Sequence, residues 1–329
     1  MSLAAGVARG IEMRMKHLIT HKIHSVIRCM AAACVALAML AQDSAAQTRE
    51  RIGYGRLITN DYLANGTDRW RSGSIASSRV WGRGWADMLP QQPGEILELR
   101  FGAEIISPED LLRRAPGDRL YATALSAGLH TQFERNGTEF ALGADLVIIG
   151  PQTRLDRLQG AFHDMVGVSK ASAETRAEQV GNAVHPTLVG EAGREVALGT
   201  MTRIRPFLEA RAGVETLVRA GVDVTIGEMG RGELLIRDPV TGHRYRTMPQ
   251  GNRGFSFVFG ADIASVDSSA YFPASSEARM RDARTRLRGG LHWQGGPAAL
   301  FYGLTWLGKE FEAQDEGQFV GSVRVDLNF

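Results

Sequence analysis

The sequence predicts an all-β protein, a transmembrane antiparallel β-barrel with one short helical segment set between strands. Three observations carry that prediction. Apolar and polar side chains alternate with period two along most of residues 47–329, the charged residues fall on one face of those strands, and the chain ends on a regular alternating stretch that finishes in Phe329. A soluble β-sandwich would bury the apolar face, whereas a barrel in lipid turns it outward and keeps the charges in a wet lumen.

The first 46 residues read as a targeting segment. Basic residues Arg14, Lys16, Lys22 and Arg28 precede an apolar run from Cys29 to Ala41, and Ser44-Ala45-Ala46 supplies small residues for cleavage before Gln47. The run is shorter than the roughly 20 apolar residues that a spanning helix needs. Met15-Lys16 makes a more typical signal start than Met1, so the true start is expected near Met15. No cysteine stands at the cleavage point, which argues against a lipid-anchored form. The expected mature domain, 47–329, has no later segment apolar enough to span as a helix.

The strands follow in order. In residues 96–104, Leu97, Leu99, Phe101 and Ala103 share one face and Glu98, Arg100 and Glu104 the other. Tyr121, Leu125, Ala127, Leu129 and Phe133 alternate up to Asn136-Gly137, the strongest short hairpin signal. The return strand runs through Phe140, Leu142, Ala144, Leu146 and Ile148 to Gly150-Pro151. From 208 to 226 one parity is apolar while the other carries Glu209, Arg211, Glu215, Arg219 and Asp223. That run exceeds the roughly 9 to 11 residues of one membrane strand, which predicts two strands and a tight turn near Gly213. Further strands are marked by Phe255, Phe257, Phe259, Ala261 and Ile263, by Leu287, Leu291 and Trp293, and by 301–307 after Gly295-Gly296-Pro297. In the last strand Phe319, Gly321, Val323, Val325, Leu327 and Phe329 lie opposite Ser322, Arg324, Asp326 and Asn328.

Segments between strands carry different patterns. Residues 151–190 place Leu155, Leu158, Phe162, Met165 and Val166 at helical spacing, and 267–283 reads as a loop or short helix. Residues 227–254, with a turn at Asp238-Pro239-Val240-Thr241-Gly242, read as another long loop on the extracellular side, where barrel loops usually lengthen.

Composition narrows the chemistry. Both cysteines, Cys29 and Cys34, fall in the targeting segment, so disulfide and zinc-thiolate chemistry are excluded from the mature domain. Removing that segment's five basic and two acidic residues from totals of 38 and 36 leaves 33 and 34, a net charge near −1 that gives nucleic-acid binding no support. Lys170 and Lys309 are the mature domain's only lysines. Arginine suits bidentate phosphate contacts, although a GC-rich genome explains the bias more simply. There is no Gly-x-Ser-x-Gly elbow, His-Glu-x-x-His pair or phosphate-binding loop. Taken alone, His163 reads as a packing or hydrogen-bonding residue and each lone aspartate as a solvated loop residue.

Three patches together resemble the lipid A 3-O-deacylase family of outer-membrane β-barrels. The first is Asn60-Asp61 followed by Thr67-Asp68-Arg69-Trp70-Arg71-Ser72-Gly73; the second is Ile106-Ser107-Pro108 leading to Gly117-Asp118-Arg119; the third is Gly150-Pro151, Gln159, His163 and Gly167. The resemblance covers essentially the whole mature domain, and its third patch is the most specific. It implies a barrel of 12 strands in the outer membrane of a Gram-negative bacterium, hydrolysing an acyl ester of lipid A in lipopolysaccharide with Ca²⁺ as cofactor. The terminal aromatic strand is similar to the signal read by the barrel assembly machinery, which would then be a partner alongside outer-membrane lipid.

By the same resemblance His163 is the general base, Asp61 a calcium ligand, and Asn60 a residue that orients the ester carbonyl. Ser72 stands where the family has Thr, and Arg113 and Gln159 are the substrate-binding positions, with Arg114 an equally loose match for Arg113. The family's acidic residue six positions after the histidine is here Ser169, followed by Lys170. Either Glu174 or Glu178 replaces it, or calcium binding is weakened or lost. The alternative function is accordingly a non-catalytic outer-membrane barrel with a structural or binding role. A passive porin is the third reading, disfavoured because open channels usually need about 16 to 18 strands.

Overall fold

In the computed structural model, residues 49–66, 68–167, 169–248 and 252–327 are described. The targeting segment and Phe329 lie outside them. Twelve long strands form the wall: β1 (Glu50–Asn60), β2 (Trp70–Gly82), β3 (Leu97–Ser107), β4 (Ala122–Arg135), β5 (Thr138–Ile149), β6 (Ala183–Gly193), β8 (Thr202–Ala212), β9 (Glu215–Ile226), β12 (Gly254–Ser269), β13 (Ala283–Gly295), β14 (Ala298–Leu307) and β15 (Gln318–Leu327). Each pairs antiparallel with its neighbour. The sheet closes where β1 meets β15, with Ile58 opposite Val323 and Asn60 opposite Gly321. Closure removes the free edges that an open sheet would leave unpaired in lipid. The remaining strands are short: β7 (Val196–Ala197), and the separate hairpin of β10 (Leu235–Arg237) and β11 (Arg244–Arg246).

Local chemistry sets these boundaries. Asn136 and Gly137 both adopt positive φ, 53° and 74°, which a two-residue hairpin turn requires and which Asn and Gly tolerate best. The run 208–226 is broken at residues 213–214, as the strand-length argument predicts.

Burial follows the alternation. Leu129, Leu146, Leu208, Phe257, Ile263, Leu287 and Val325 stay exposed on the outer surface, while Glu98, Glu209, Arg219, Asp262, Arg286 and Arg324 are buried inside. The interior charges are paired across strands. Asp262 accepts from Arg219 at 2.5 Å and from Arg286 at 2.9 Å, and Arg205 reaches Glu139 at 2.6 Å and Glu191 at 2.7 Å. Pairing is what lets so many ionised groups sit away from bulk water.

The long connection after β9 differs from the sequence expectation. It leaves the rim that carries the Asn136-Gly137 turn, here the lower rim, and not the upper rim to which β1, β3 and β5 run. From there it turns into the lumen. Tyr54 N–H donates to the Thr247 carbonyl at 2.7 Å, the Tyr245 hydroxyl meets Ser78 Oγ at 2.7 Å, and Arg286 donates to the Pro239 and Val240 carbonyls at 2.9 and 3.1 Å. The β10–β11 hairpin is thus a plug, with Asp238-Pro239-Val240-Thr241-Gly242 at its tip. Leu234, Ile236, Tyr245 and Met248 pack on Leu57, Ala76, Val80 and Phe301 of the wall. Gly55 permits that approach, since a Cβ there would overlap the Arg246 carbonyl. The polar sequence of this segment suits an exposed loop or a charged lumen equally well, so its placement could not be read from polarity. Residues 270–282 form an irregular connection without a helix.

Candidate functional site

The predicted residues other than Arg113 gather at the upper rim, on and beside the connections after β1 and β5. β1 ends in a 3₁₀ turn, Asp61–Leu63, capped by Asn60, whose side-chain oxygen accepts from Tyr62 N–H at 2.8 Å. That leaves the Asn60 amide NH₂ as its donor side. Asp61 is fully buried and accepts from Arg69 N–H at 2.8 Å and from Gln318 Nε2 at 3.4 Å.

The chain then re-enters the sheet through two irregularities. Trp70 takes φ 51°, costly for a bulky residue, and is 2% exposed. Its ring packs with Ala278 and Phe311, and the Arg69 guanidinium lies 4.3 Å from its centroid. Arg69 is held in turn by Glu109 at 3.1 Å and Glu316 at 2.5 Å. The register against β3 shifts between Arg71 and Gly73, so Ser72 is the extra residue of a bulge. A bulge re-aims one side chain, and here the Ser72 hydroxyl donates to Asp68 Oδ1.

The second half of the site comes from the segment after β5. Helix α1, Leu155–Val166, begins at Arg154 in the left-handed region and ends at Gly167, whose N–H donates to the His163 carbonyl at 2.8 Å. Leu155, Gln159 and His163 recur every four residues and form its buried face. Gln159 accepts from the Tyr121 hydroxyl at 2.6 Å and places its NH₂ 3.4 Å from both Asp68 Oδ1 and Ser72 Oγ. His163 Nδ1 lies 2.7 Å from the Ser169 carbonyl, and Nε2 lies 3.0 Å from Asp68 Oδ2. A carbonyl only accepts, so Nδ1 carries a proton and Nε2 is the variable nitrogen. Burial pushes the Asp68 carboxyl up, against the Ser72 hydrogen bond and the His163 charge.

A short helix α2, Ala173–Ala177, and the connection after β3 brace this arrangement. Ser172 N–H and Thr175 Oγ1 both donate to the Leu111 carbonyl, at 3.0 and 2.9 Å, and Ala171 packs on Leu111 and Tyr121. Below the site lies a buried charge cluster. Glu310 accepts from Arg71 at 2.8 Å and Arg119 at 2.6 Å. Burial opposes its ionisation, and Arg71, Arg284 and Arg119 overcome that and hold its carboxyl well below the usual carboxylate range.

The structure therefore brings His163, Gln159 and Ser72 together around Asp68, with Asn60 and Asp61 at the head of the same loop. It does not bring Arg113 there. Arg113 is exposed, and its neighbour Arg114 is the one fixed, by Glu178 at 3.1 Å. Glu174 and Glu178 are exposed on or beside α2, and Ser169 contributes its carbonyl to the histidine. Asp68 and Tyr121 were quoted in the sequence patterns without a role. The sequence signal for Asp68 is its position four residues before Ser72. Among the described residues no three His, Cys, Asp or Glu side chains converge as a metal-binding group. The Asp61 carboxylate is a hard oxygen ligand of the type that calcium takes, which fits that ion in kind, with the rest of a shell of about six to eight oxygens left to backbone, water or substrate. A cavity of about 470 Å³ lies elsewhere, on the lower side of the plug among Arg100, His130, Gln132, Glu191 and Arg205.

Among solved structures the chain is similar to LpxR from Salmonella typhimurium, with a TM-score of 0.70 and 17% identity over 84% of this chain and 100% of that one, a likeness of fold. It is more distantly similar to the β domain of the Bordetella autotransporter BrkA (TM-score 0.40, 12% identity, 84% of this chain and 98% of that one). The KdgM porin in complex with oligogalacturonate follows (TM-score 0.35, 6% identity, 86% and 99%). No curated protein matches the sequence. Residues 29–329 match the family model described as outer membrane protein LpxR, so the chain belongs to that family and its barrel is an outer-membrane barrel.

Proposed function

We propose that this protein hydrolyses the 3-O-linked acyl ester of lipid A in the outer leaflet, with His163 as general base. The observation that carries the reading is the fixed imidazole. Nδ1–H is committed to the Ser169 carbonyl at 2.7 Å, and Nε2 faces Asp68, which also accepts from the Ser72 hydroxyl, at the rim where lipid headgroups lie. Nε2 takes a proton from a water molecule whose oxygen attacks the ester carbonyl carbon. The bond to the sugar oxygen then breaks, and the departing oxygen recovers the proton from Nε2. General base catalysis of this kind contributes about 10²- to 10⁴-fold. The Asn60 NH₂ donates to the ester carbonyl oxygen, and Gln159, held by Tyr121, keeps Asp68 and Ser72 in place.

Calcium is part of the proposal. Asp61 would hold it, and when bound it would supply Lewis-acid stabilisation of the oxyanion. Isothermal titration of calcium into the wild type and into Asp61→Asn tests that assignment; equal binding by both would remove Asp61 from it. The decisive experiment for the activity is incubation with lipid A and calcium, with the products read by mass spectrometry.

Ser169 favours a second reading, a barrel that keeps the scaffold without turnover. Unchanged acylation of lipid A at every calcium concentration, by a correctly folded barrel, would select it. The plugged lumen gives no support to a porin, and planar-bilayer conductance checks this.

A further inference from the structure

We infer that helix α1 is a membrane-embedded element, whose outer flank sits among the acyl chains of the leaflet around the upper rim. The helix has three sectors. Leu155, Gln159 and His163 face the barrel and are buried; Leu158, Phe162 and Met165 are 65%, 54% and 74% exposed; Arg157 and Asp164 are exposed on the remaining side. At 100° per residue the apolar trio spans about 60° beside the buried face, and the charged pair lies roughly 120° round from the trio, on the side away from the barrel.

A helix that exposes Leu, Phe and Met together needs a partner for them. It cannot turn them inward, because Gln159 is tied to Tyr121 at 2.6 Å and His163 to Asp68 at 3.0 Å. The occupant is identified by continuity. Gln152, just before α1, donates to the carbonyls of Ile149 and Ala183 at 2.9 and 3.0 Å, which seats the start of the helix on the upper ends of β5 and β6. The outward residues there, Leu146 and Val184, are 49% and 51% exposed and belong to the lipid-facing surface of the barrel. The α1 trio extends that surface upward, and Leu112, 56% exposed on the neighbouring connection, adds to it. Arg154 and Arg157 are exposed and free to reach anionic headgroups with their aliphatic stems along the interface. The arrangement would present His163 to an ester at the depth where acyl chains join the headgroup. The inference rests on the outer-membrane placement and not on hydrolysis.

The test is site-directed spin labelling in bilayers, with Cys29 and Cys34 replaced by serine. Single cysteines replace Leu158, Phe162, Met165, Arg157 and Asp164 in turn, and a gel shift on heating verifies the folded barrel. Labels at 158, 162 and 165 should collide with dissolved oxygen several-fold more often than with a water-soluble nickel chelate, and labels at 157 and 164 should show the reverse. Equal, water-like readings at all five positions would overturn the inference. Immobilised labels at 158, 162 and 165 that exclude both reagents would overturn it as well, since they would mean a protein partner on that flank.

Discussion

Replacing Arg237 by alanine is expected to release the lumen plug while leaving the wall closed. The Arg237 guanidinium joins the hairpin to two strands, donating to Glu191 on β6 at 2.7 Å and to Asp223 on β9 at 2.8 Å. It also donates to the Gly242 carbonyl at 2.9 Å and lies 3.7 Å from the centroid of the Phe207 ring. Removing one partner of a buried ion pair costs about 3 to 5 kcal/mol. Arg205 still pairs with Glu191 at 2.7 Å, and Arg288 still pairs with Asp223. The cost should therefore fall at the lower end, about 3 kcal/mol, or roughly 150-fold in the population of undocked hairpin at about 1.4 kcal/mol per tenfold. Amide exchange of the β10 and β11 residues reads this directly, because local opening sets their protection. Single-channel recording should show conductance bursts absent from the wild type. Loss of protection under about fivefold, equivalent to about 1 kcal/mol, would refute the idea that this arginine anchors the plug.

The remaining predictions concern the upper rim. His163→Asn keeps a side chain that can bond the Ser169 carbonyl but has no basic nitrogen, so kcat should fall by about 10²- to 10⁴-fold with the heat-modifiable gel shift unchanged; turnover within threefold of wild type would remove the assigned base. Tyr121→Phe deletes the 2.6 Å bond to Gln159, at a cost of about 1 kcal/mol, and should raise amide exchange in α1 while β4 stays protected. Glu310 has a lowered folded-state value, so its contribution to stability is present above its unfolded value of about 4.3 and is lost as pH falls through the folded one. Acid titration followed by Trp70 fluorescence should show the upper rim loosening only well below pH 4. Glu310→Gln, which leaves Arg119 and Arg71 short of a partner, should destabilise the rim by about 3 to 5 kcal/mol at neutral pH.

The wall was legible in the sequence because lipid outside and water inside enforce period two on every strand. Glu98, Arg211 and Asp223 are placed by parity alone, and the break near Gly213 follows from strand length. The plug was not legible. Arg237, Arg244 and Arg246 sit in strands of three residues, too short to show a period, and the charges of Arg237 and Arg244 find their partners Glu191, Asp223 and Glu139 on the wall only once the barrel has closed around them. The gathering of Asn60, Asp61, Gln159 and His163 at one rim was legible as far as the family pattern reached. Asp68 escaped because its significance depends on the bulge that turns Ser72 toward it, and a bulge adds a residue to a strand without marking which one. Arg113 was a match of pattern without position: the connection after β3 fixes Arg114 and leaves Arg113 in solvent.

The most direct test of the account is mass spectrometry of lipid A after incubation with the folded barrel and calcium. The expected result is a product lighter by one 3-O-linked hydroxyacyl chain, formed by the wild type and not by His163→Asn. Lipid A that keeps its full acylation with the wild type, at every calcium concentration, would contradict the proposed hydrolysis.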